Sequence, residues 1–403
     1  MNICILGSAL GTSDHLLISE DHFSWLQHIP EGVLTLGRED SNTISLDYIS
    51  KLFRKPIPTF GNLPHNQFFK LAGMTSKEVH WQKTLDSSTY RNTIEKMIES
   101  SKGLASEYEK SGYGLTLAKR LEVLSTLERA QINKKKLGML SATEKDSTQI
   151  SNLQTFNPAS DGMAKLACYD GSSTSTGRMK IISGPQILTL RKSHRQVIES
   201  KWGDKGEVIS IDYSSLEPRV ALALNGYSPD GDVYNWIDRE VFDNKLGRSR
   251  AKILTLSIIY GMSLHSVKSR YGDIKPSAQE RLRSMFSVEE TTQKLESLEL
   301  SKLKNYFGRP IFPDTKNKIF NSFIQSTAVD VAMIGFKDII TKLKEAGGCR
   351  PLFLIHDEII CDVPSSVLTS AKEILKDGIE INLKNKNVNF SVTVEKNNVR
   401  LLD

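Results

Sequence analysis

The run PLFLIHDEIICDVP at 351–364 constrains the fold more than any other part of the chain. Two apolar stretches flank a three-residue polar centre, His356-Asp357-Glu358, and this pattern reads as a β-hairpin. The preceding segment, 316–345, reads as one long helix that stops at Gly347-Gly348. Upstream, GEVISIDYSSLEPRVALALNG opens as a short apolar strand, Val208 to Ile211, and passes into a helical pattern. Beyond the hairpin, 364 to about 384 is helical in pattern and NFSVTVE alternates like a strand.

The rest of the chain divides by texture. Its 403 residues suggest two or three subdomains at roughly 100–200 residues each. A hydrophobic share of 39% and a charged share of 25% are globular, not disordered. No apolar run reaches the ~18 residues of a membrane span, so no membrane partner is expected. A net charge of +6 permits a polyanionic partner without demanding one. Cys4, Cys168, Cys349 and Cys361 lie far apart, which argues against a zinc site or a disulfide framework. The N-terminus lacks a basic n-region and carries Asp14, Glu20 and Asp21, so a cytoplasmic protein of a cell, or of a virus working inside one, is expected. Residues 1–75, with Pro30, Pro56, Pro58 and Pro64, read as strands and loops. From 76 to 146 helix formers dominate, with Leu115, Leu117, Leu121, Leu124 and Leu127 at helical spacing. Lys134, Lys135 and Lys136 read as a solvated helix end favoured by the dipole. Residues 150–177 read as loop and 232–300 as mostly helical.

Two carboxylates occupy similar settings. Asp212 follows the apolar strand VISI, and Asp357 follows FLIH at a strand–turn junction. A strand end is rigid enough to hold a carboxylate closely. Mg²⁺ takes one or two carboxylates together with phosphate oxygens, and a pair of ions can clamp attacking and leaving oxygens. Either Asp alone also reads as a turn residue or cap. In GRSRAKILTLSIIYGMS, Arg248, Lys252, Leu256 and Tyr260 recur every four residues and share one helix face. Two cations above an apolar and an aromatic residue make a nucleotide surface; seen in isolation, the same helix is an amphipathic helix with a basic rim.

Together these segments resemble the family A DNA polymerases. DYSSLEPR resembles the family's first polymerase motif, RSRAKILTLSIIYG its fingers-helix motif, and IHDEI its third motif. TSTGRM resembles the TGR element before the first motif, and FNSFIQSTAVDVAMIGF the helix before the third. Each pattern is weak alone, and the ordered set of five is strong. The resemblance covers about 155–365 well, 76–146 loosely and 1–75 not at all.

The resemblance implies an α+β right-hand polymerase: an antiparallel palm sheet with helical fingers and thumb. The expected layout is an N-terminal segment of unknown role at 1–75, thumb-like helices at 76–150, palm at 151–220, fingers at 221–310 and palm again at 311–403. It implies Asp212, Asp357 and the Tyr213 carbonyl as holders of two Mg²⁺ ions, with Mn²⁺ as a substitute. Arg248 and Lys252 would bind the triphosphate, Lys252 also as the acid that protonates pyrophosphate. Glu217 and Tyr260 would close the sugar pocket against a 2′-OH. Arg178, Asn321 and Gln325 would read minor-groove acceptors common to all correct pairs, with His356 and Glu358 near the primer end. The implied partners are primer–template DNA and dNTPs, with a separate exonuclease or processivity factor as a further candidate. RKSHR (191–195), KLKNYFGR (302–309) and KNK (316–318) become candidate phosphate contacts.

The sequence departs from the family at named positions. Leu256 stands where Phe or Tyr is usual, which implies altered discrimination against dideoxynucleotides. Tyr234 stands where a His contacts the triphosphate; it can donate a hydrogen bond but brings no charge. Pro218 removes a backbone donor. Asn317 falls where a basic residue is common, with Lys316 and Lys318 as substitutes. Asp212 and Asp357 are 145 residues apart, compact for the family. No Asp before residue 170 has Glu two positions later, and 1–75 is short for a proofreading domain, so no 3′–5′ exonuclease is expected. Two other readings compete: a single-subunit RNA polymerase, disfavoured by Glu217 at the sugar gate, and a catalytically silent DNA-binding protein, disfavoured by Asp212, Lys252 and Asp357 together.

Overall fold

The structure is a computed structural model that describes residues 2–20, 22–38, 43–262, 265, 266, 269, 275–299 and 302–396. The chain forms two compact units, Met1–Leu121 and Glu122–Asp403.

In the first unit, Ile3–Ile5 is the apolar centre of a small sheet. It pairs antiparallel with His15–Ile18 and parallel with Leu34–Leu36, while Phe23–Leu26 forms the far edge. The helix Leu46–Phe53 buries Ile49 and Leu52, and Asp47 in its first turn accepts from the Gly37 and Arg38 amides. Phe60 stacks on both Trp81 and Tyr90, with centroids 5.6 and 5.2 Å away. Asp86 caps the helix Ser87–Ser111, and its bonds to Ser88 and Thr89 hold its carboxyl well below the usual range. In the helix Gly114–Ser125, Leu117 and Leu121 are buried, whereas Leu115 is 72% exposed and falls outside the apolar stripe.

The second unit is built on a four-stranded antiparallel sheet. Its order is Arg350–Ile355, Glu358–Pro364, Gly206–Tyr213, Val392–Lys396. Val208, Ile209, Ile211, Ile359, Ile360 and Val363 are all buried, consistent with strands covered on both faces. The long helix Ile319–Glu345 packs on the helix Leu216–Leu224, and Ser365–Leu375 packs on the sheet. Gly335 lets the Tyr213 ring lie against the long helix, since a Cβ there would meet the Tyr213 hydroxyl. By length and composition Lys316–Glu345 could cross a membrane, but 72% of its most apolar window is buried inside the protein, as in a core helix.

Four local expectations need correction. The stretch from 364 to about 384 is helical only over Ser365–Leu375, and Ile379–Leu383 is a strand paired antiparallel with Lys386–Phe390. The stretch 150–177, expected as loop, takes in the end of the helix Ser147–Gln154 and the strand Cys168–Asp170. Lys134–Lys136 form the first turn of the helix Lys134–Thr143, capped by Asn133, so they sit at the dipole end that disfavours cations. The hairpin turn is His356-Asp357 alone: Ile355 pairs with Glu358, which already belongs to the returning strand.

Candidate active site

The two aspartates meet because their strands are neighbours. Glu358 lies opposite Asp212, and the Tyr213 amide donates to the Asp357 carbonyl at 3.1 Å. The turn between the hairpin strands is tight, and His356 takes a left-handed backbone (φ 57°). Burial, then the Asp357 and Glu358 charges, push the Asp212 carboxyl up to about 7. Burial also raises Asp357, with Glu217 adding to the shift. Burial and the nearby Arg178 charge lower the His356 imidazole, which favours its neutral form. Among the described residues, no group of three or more His, Cys, Asp or Glu side chains could hold a metal. Exposed Asp212 and half-buried Asp357 are hard-oxygen donors that still fit Mg²⁺, whose remaining ligands come from backbone carbonyl, water and phosphate.

Glu217 is the hub of the site. One carboxylate oxygen accepts from Arg178 at 2.8 Å, and the other accepts from the Tyr260 hydroxyl at 2.9 Å. Burial and the Glu217 charge push Tyr260 up to about 12. With its amide turned to satisfy both ends, Gln325 donates to Thr176 at 2.9 Å and accepts from Arg178 at 3.0 and 3.2 Å. Four residues from four separate segments therefore converge. Three of them, Arg178, Glu217 and Gln325, edge a cleft of about 430 Å³ whose walls also include Met179, Met333, His356 and Asp357. Asn321 lies one turn before Gln325 on the same helix, and its side-chain oxygen is buried with no partner.

The cation helix Arg248–Ile259 has the two-faced character its spacing implies. Arg248 and Lys252 are exposed and Leu256 is half-buried, as is common for such a face, while Ala251, Leu254 and Ile258 are buried. Tyr260, just past its end, is exposed. Asp238 fixes the start of this helix by accepting from the Leu246 and Gly247 amides. Tyr234 is buried. Its ring is 2% exposed, and it lies beneath Arg248 and Lys252.

Several charged residues are committed elsewhere. Arg195 binds both oxygens of Glu358, and Ser210 also donates to that carboxylate, so Glu358 is tied into the sheet. Arg191 pairs with Glu144 and Asp146, and Lys192 with Glu395, so RKSHR is a strap between elements of this unit. Arg309 of KLKNYFGR is fully buried and donates to the Gly171 and Thr174 carbonyls. Asn305 accepts from the Arg309 amide and donates to Ser326 and Asp330 on the long helix. This network links the Arg178 loop to the Gln325 helix, and sequence reasoning missed it. The available signal was Gly177, beside Arg178, whose missing side chain makes room for the Arg309 guanidinium.

The sequence model for "DNA polymerase family A" matches residues 83–398. The chain belongs to DNA polymerase family A. It is 25% identical to the thermostable DNA polymerase I of Thermus aquaticus over 72% of this chain and 39% of that protein. It is 26% identical to DNA polymerase I of Streptococcus pneumoniae over 69% of this chain and 36% of that one. Against DNA polymerase theta of Caenorhabditis elegans it is 25% identical over 56% of this chain and 15% of that protein. The chain thus spans less than half the length of these relatives. A solved structure, the POL domain of Pol1 from M. smegmatis in complex with DNA primer-template and dNTP, aligns with a TM-score of 0.59 at 12% identity, over 98% of this chain and 95% of that one. This likeness speaks for the fold, which is the α+β polymerase fold.

Within this family A chain, one sequence departure has a local explanation. Pro218 is the third residue of the helix Leu216–Leu224, where a backbone N–H would lack an intrahelical partner anyway. Arg219 is buried and donates to the Ser214, Pro229 and Gly231 carbonyls, so it ties the following loop to the end of the central strand. Gly177 has φ 80°, and a Cβ there would lie 2.7 Å from Arg309 Nε. Gly177→Ala is expected to lose about 1–3 kcal/mol of stability in urea denaturation. An unchanged midpoint would mean the Arg309 contact yields freely.

Proposed function

We propose that this chain is a template-directed DNA polymerase that extends a primer 3′-OH with dNTPs by two-metal nucleotidyl transfer, without proofreading of its own. The observation that carries this reading is the convergence of Arg178, Glu217, Tyr260 and Gln325 beside Asp357. Arg178, Gln325 and Asn321 would test the minor-groove edge of the terminal pair. Glu217, held from two sides, would block a ribose 2′-OH. Arg248 and Lys252 would bind the triphosphate, and Lys252 would protonate departing pyrophosphate. Asp212, Asp357 and the Tyr213 carbonyl would hold two Mg²⁺ ions, or Mn²⁺, whose chemistry is to acidify the primer hydroxyl and steady the leaving group. The layout this favours is palm from 151–220 and 311–403, fingers at 221–310 and thumb-like helices at 76–150.

Primer extension on a primed template, with and without Mg²⁺ and with dNTPs against rNTPs, tests the reading. Metal-dependent growth with dNTPs supports it, growth with rNTPs alone supports the RNA polymerase alternative, and no growth removes both. Degradation of a mispaired primer by the purified protein would overturn the absence of proofreading. Leu256 is expected to make dideoxynucleotides poorer substrates than dNTPs by at least about tenfold; equal use of terminators and dNTPs would remove that role.

The pH dependence of metal binding follows from Asp212. A cation binds only its ionised form, and with a carboxyl at about 7 protons compete below neutrality. Mn²⁺ affinity, followed by electron paramagnetic resonance, is expected to rise with pH up to neutrality and level off above it. A flat profile below pH 7 would exclude Asp212 as a ligand, and Asp212→Asn should flatten the wild-type rise.

A further inference from the structure

Tyr234 is nearly inaccessible, yet its ring faces two cations. The Arg248 guanidinium lies 5.6 Å from the ring centroid and the Lys252 ammonium 5.7 Å. These cations are four residues apart on one helix face, where like charges repel. Arg248 has a carboxylate partner, Asp232, at 2.8 Å. Among the described residues Lys252 has no carboxylate within ion-pair reach, and the group that faces it is the ring. The ring itself is fixed. Asp232 caps the helix Val233–Phe242 by accepting from the Tyr234 and Asn235 amides at 3.0 Å each. Asp238 on the same helix anchors the start of the cation helix through Leu246 and Gly247.

We propose that Tyr234 is a positioning residue whose π face seats Arg248 and Lys252 for a nucleotide triphosphate, without touching the nucleotide. The proposal rests on the reading of those two cations as the triphosphate site. A ring suits the task where a carboxylate would not. It attracts both cations but leaves their full charge for phosphate, while a second acid would cancel part of it. The gain is preorganisation: the cations are held before the ligand arrives, so less ordering cost falls on binding. The ring, and not the hydroxyl, is then the part that matters.

The test measures inorganic tripolyphosphate binding by calorimetry alongside dNTP kinetics. Tyr234→Leu is expected to weaken tripolyphosphate binding and raise the dNTP KM about tenfold, with kcat changed far less. Tyr234→Phe keeps the ring and is expected to stay near the wild-type KM. Because Tyr234→Leu could unfold the site, fluorinated phenylalanines at position 234 form the second series. They keep the shape and drain the π face, so affinity should fall steadily with fluorination. A flat fluorine series, or Tyr234→Phe as weak as Tyr234→Leu, overturns the proposal. The two readings fail separately: a graded tripolyphosphate series in a protein that extends no primer removes the polymerase reading alone, and extension with a flat series removes this proposal alone.

Discussion

Asp212→Asn and Asp357→Asn are each expected to lower primer-extension turnover by about a thousandfold, the scale on which losing one charge-stabilising group acts in a preorganised site. The two carboxylates sit at one end of adjacent strands, so each substitution leaves the partner's backbone in place and removes only donor oxygen. Primer–template affinity, measured by fluorescence anisotropy, should change little, which separates lost chemistry from lost binding. The pair should also report on each other. Burial is the leading cause of the raised Asp212 carboxyl and Asp357 the next, so Asp357→Asn should lower it towards the usual range without restoring it fully. Carboxyl-resolved NMR titration reads that shift. Turnover within tenfold of wild type in either variant would remove both residues from the reacting centre.

Glu217→Ala is expected to raise rNTP incorporation relative to dNTP by on the order of a hundredfold, because a pocket that excludes a group sterically loses that discrimination once the wall is cut away. Glu217 is held on one side by Arg178 and on the other by Tyr260. The substitution therefore frees two further side chains. Arg178 loses its only carboxylate among the described residues, and a parallel rise in extension from mispaired termini is expected. Tyr260→Phe keeps the wall and loses one tether, so its effect on sugar choice should be much smaller. Unchanged rNTP use in Glu217→Ala would assign the sugar gate elsewhere.

Much of the site is written locally in the chain. An apolar run ending in Asp marks both metal-candidate positions, since a buried strand needs such a run and its end is where a polar group returns to the surface. A four-residue repeat of Arg248, Lys252, Leu256 and Tyr260 gives the exposed face of the cation helix for the same reason. What local pattern does not carry is the partner of a charge. Arg195 and Arg309 read as free cations in basic segments, but their partners, Glu358 and the 171–174 loop, lie far off in sequence. Periodicity does not separate the start of a helix from its end, which is why Lys134–Lys136 were misplaced. Nor does it say whether an aromatic is exposed or buried beneath a charged neighbour, as the Tyr234 ring is beneath Arg248 and Lys252. In 1–75 the strands are three or four residues long. Too few residues alternate there to announce the parallel pairing of Leu34–Leu36 with Ile3–Ile5.

The sheet order has a consequence for how the protein is made. Gly206–Tyr213 is the first strand of its sheet in the chain, yet both its neighbours, Glu358–Pro364 and Val392–Lys396, emerge far later from the ribosome. Until then Asp212 sits on an unpaired, strongly apolar strand. Non-local pairing of this kind folds slowly and leaves sticky intermediates exposed during synthesis. A nascent chain therefore lacks a complete sheet around Asp212 until Val392–Lys396 has emerged, and is most in need of a chaperone in the interval between these strands.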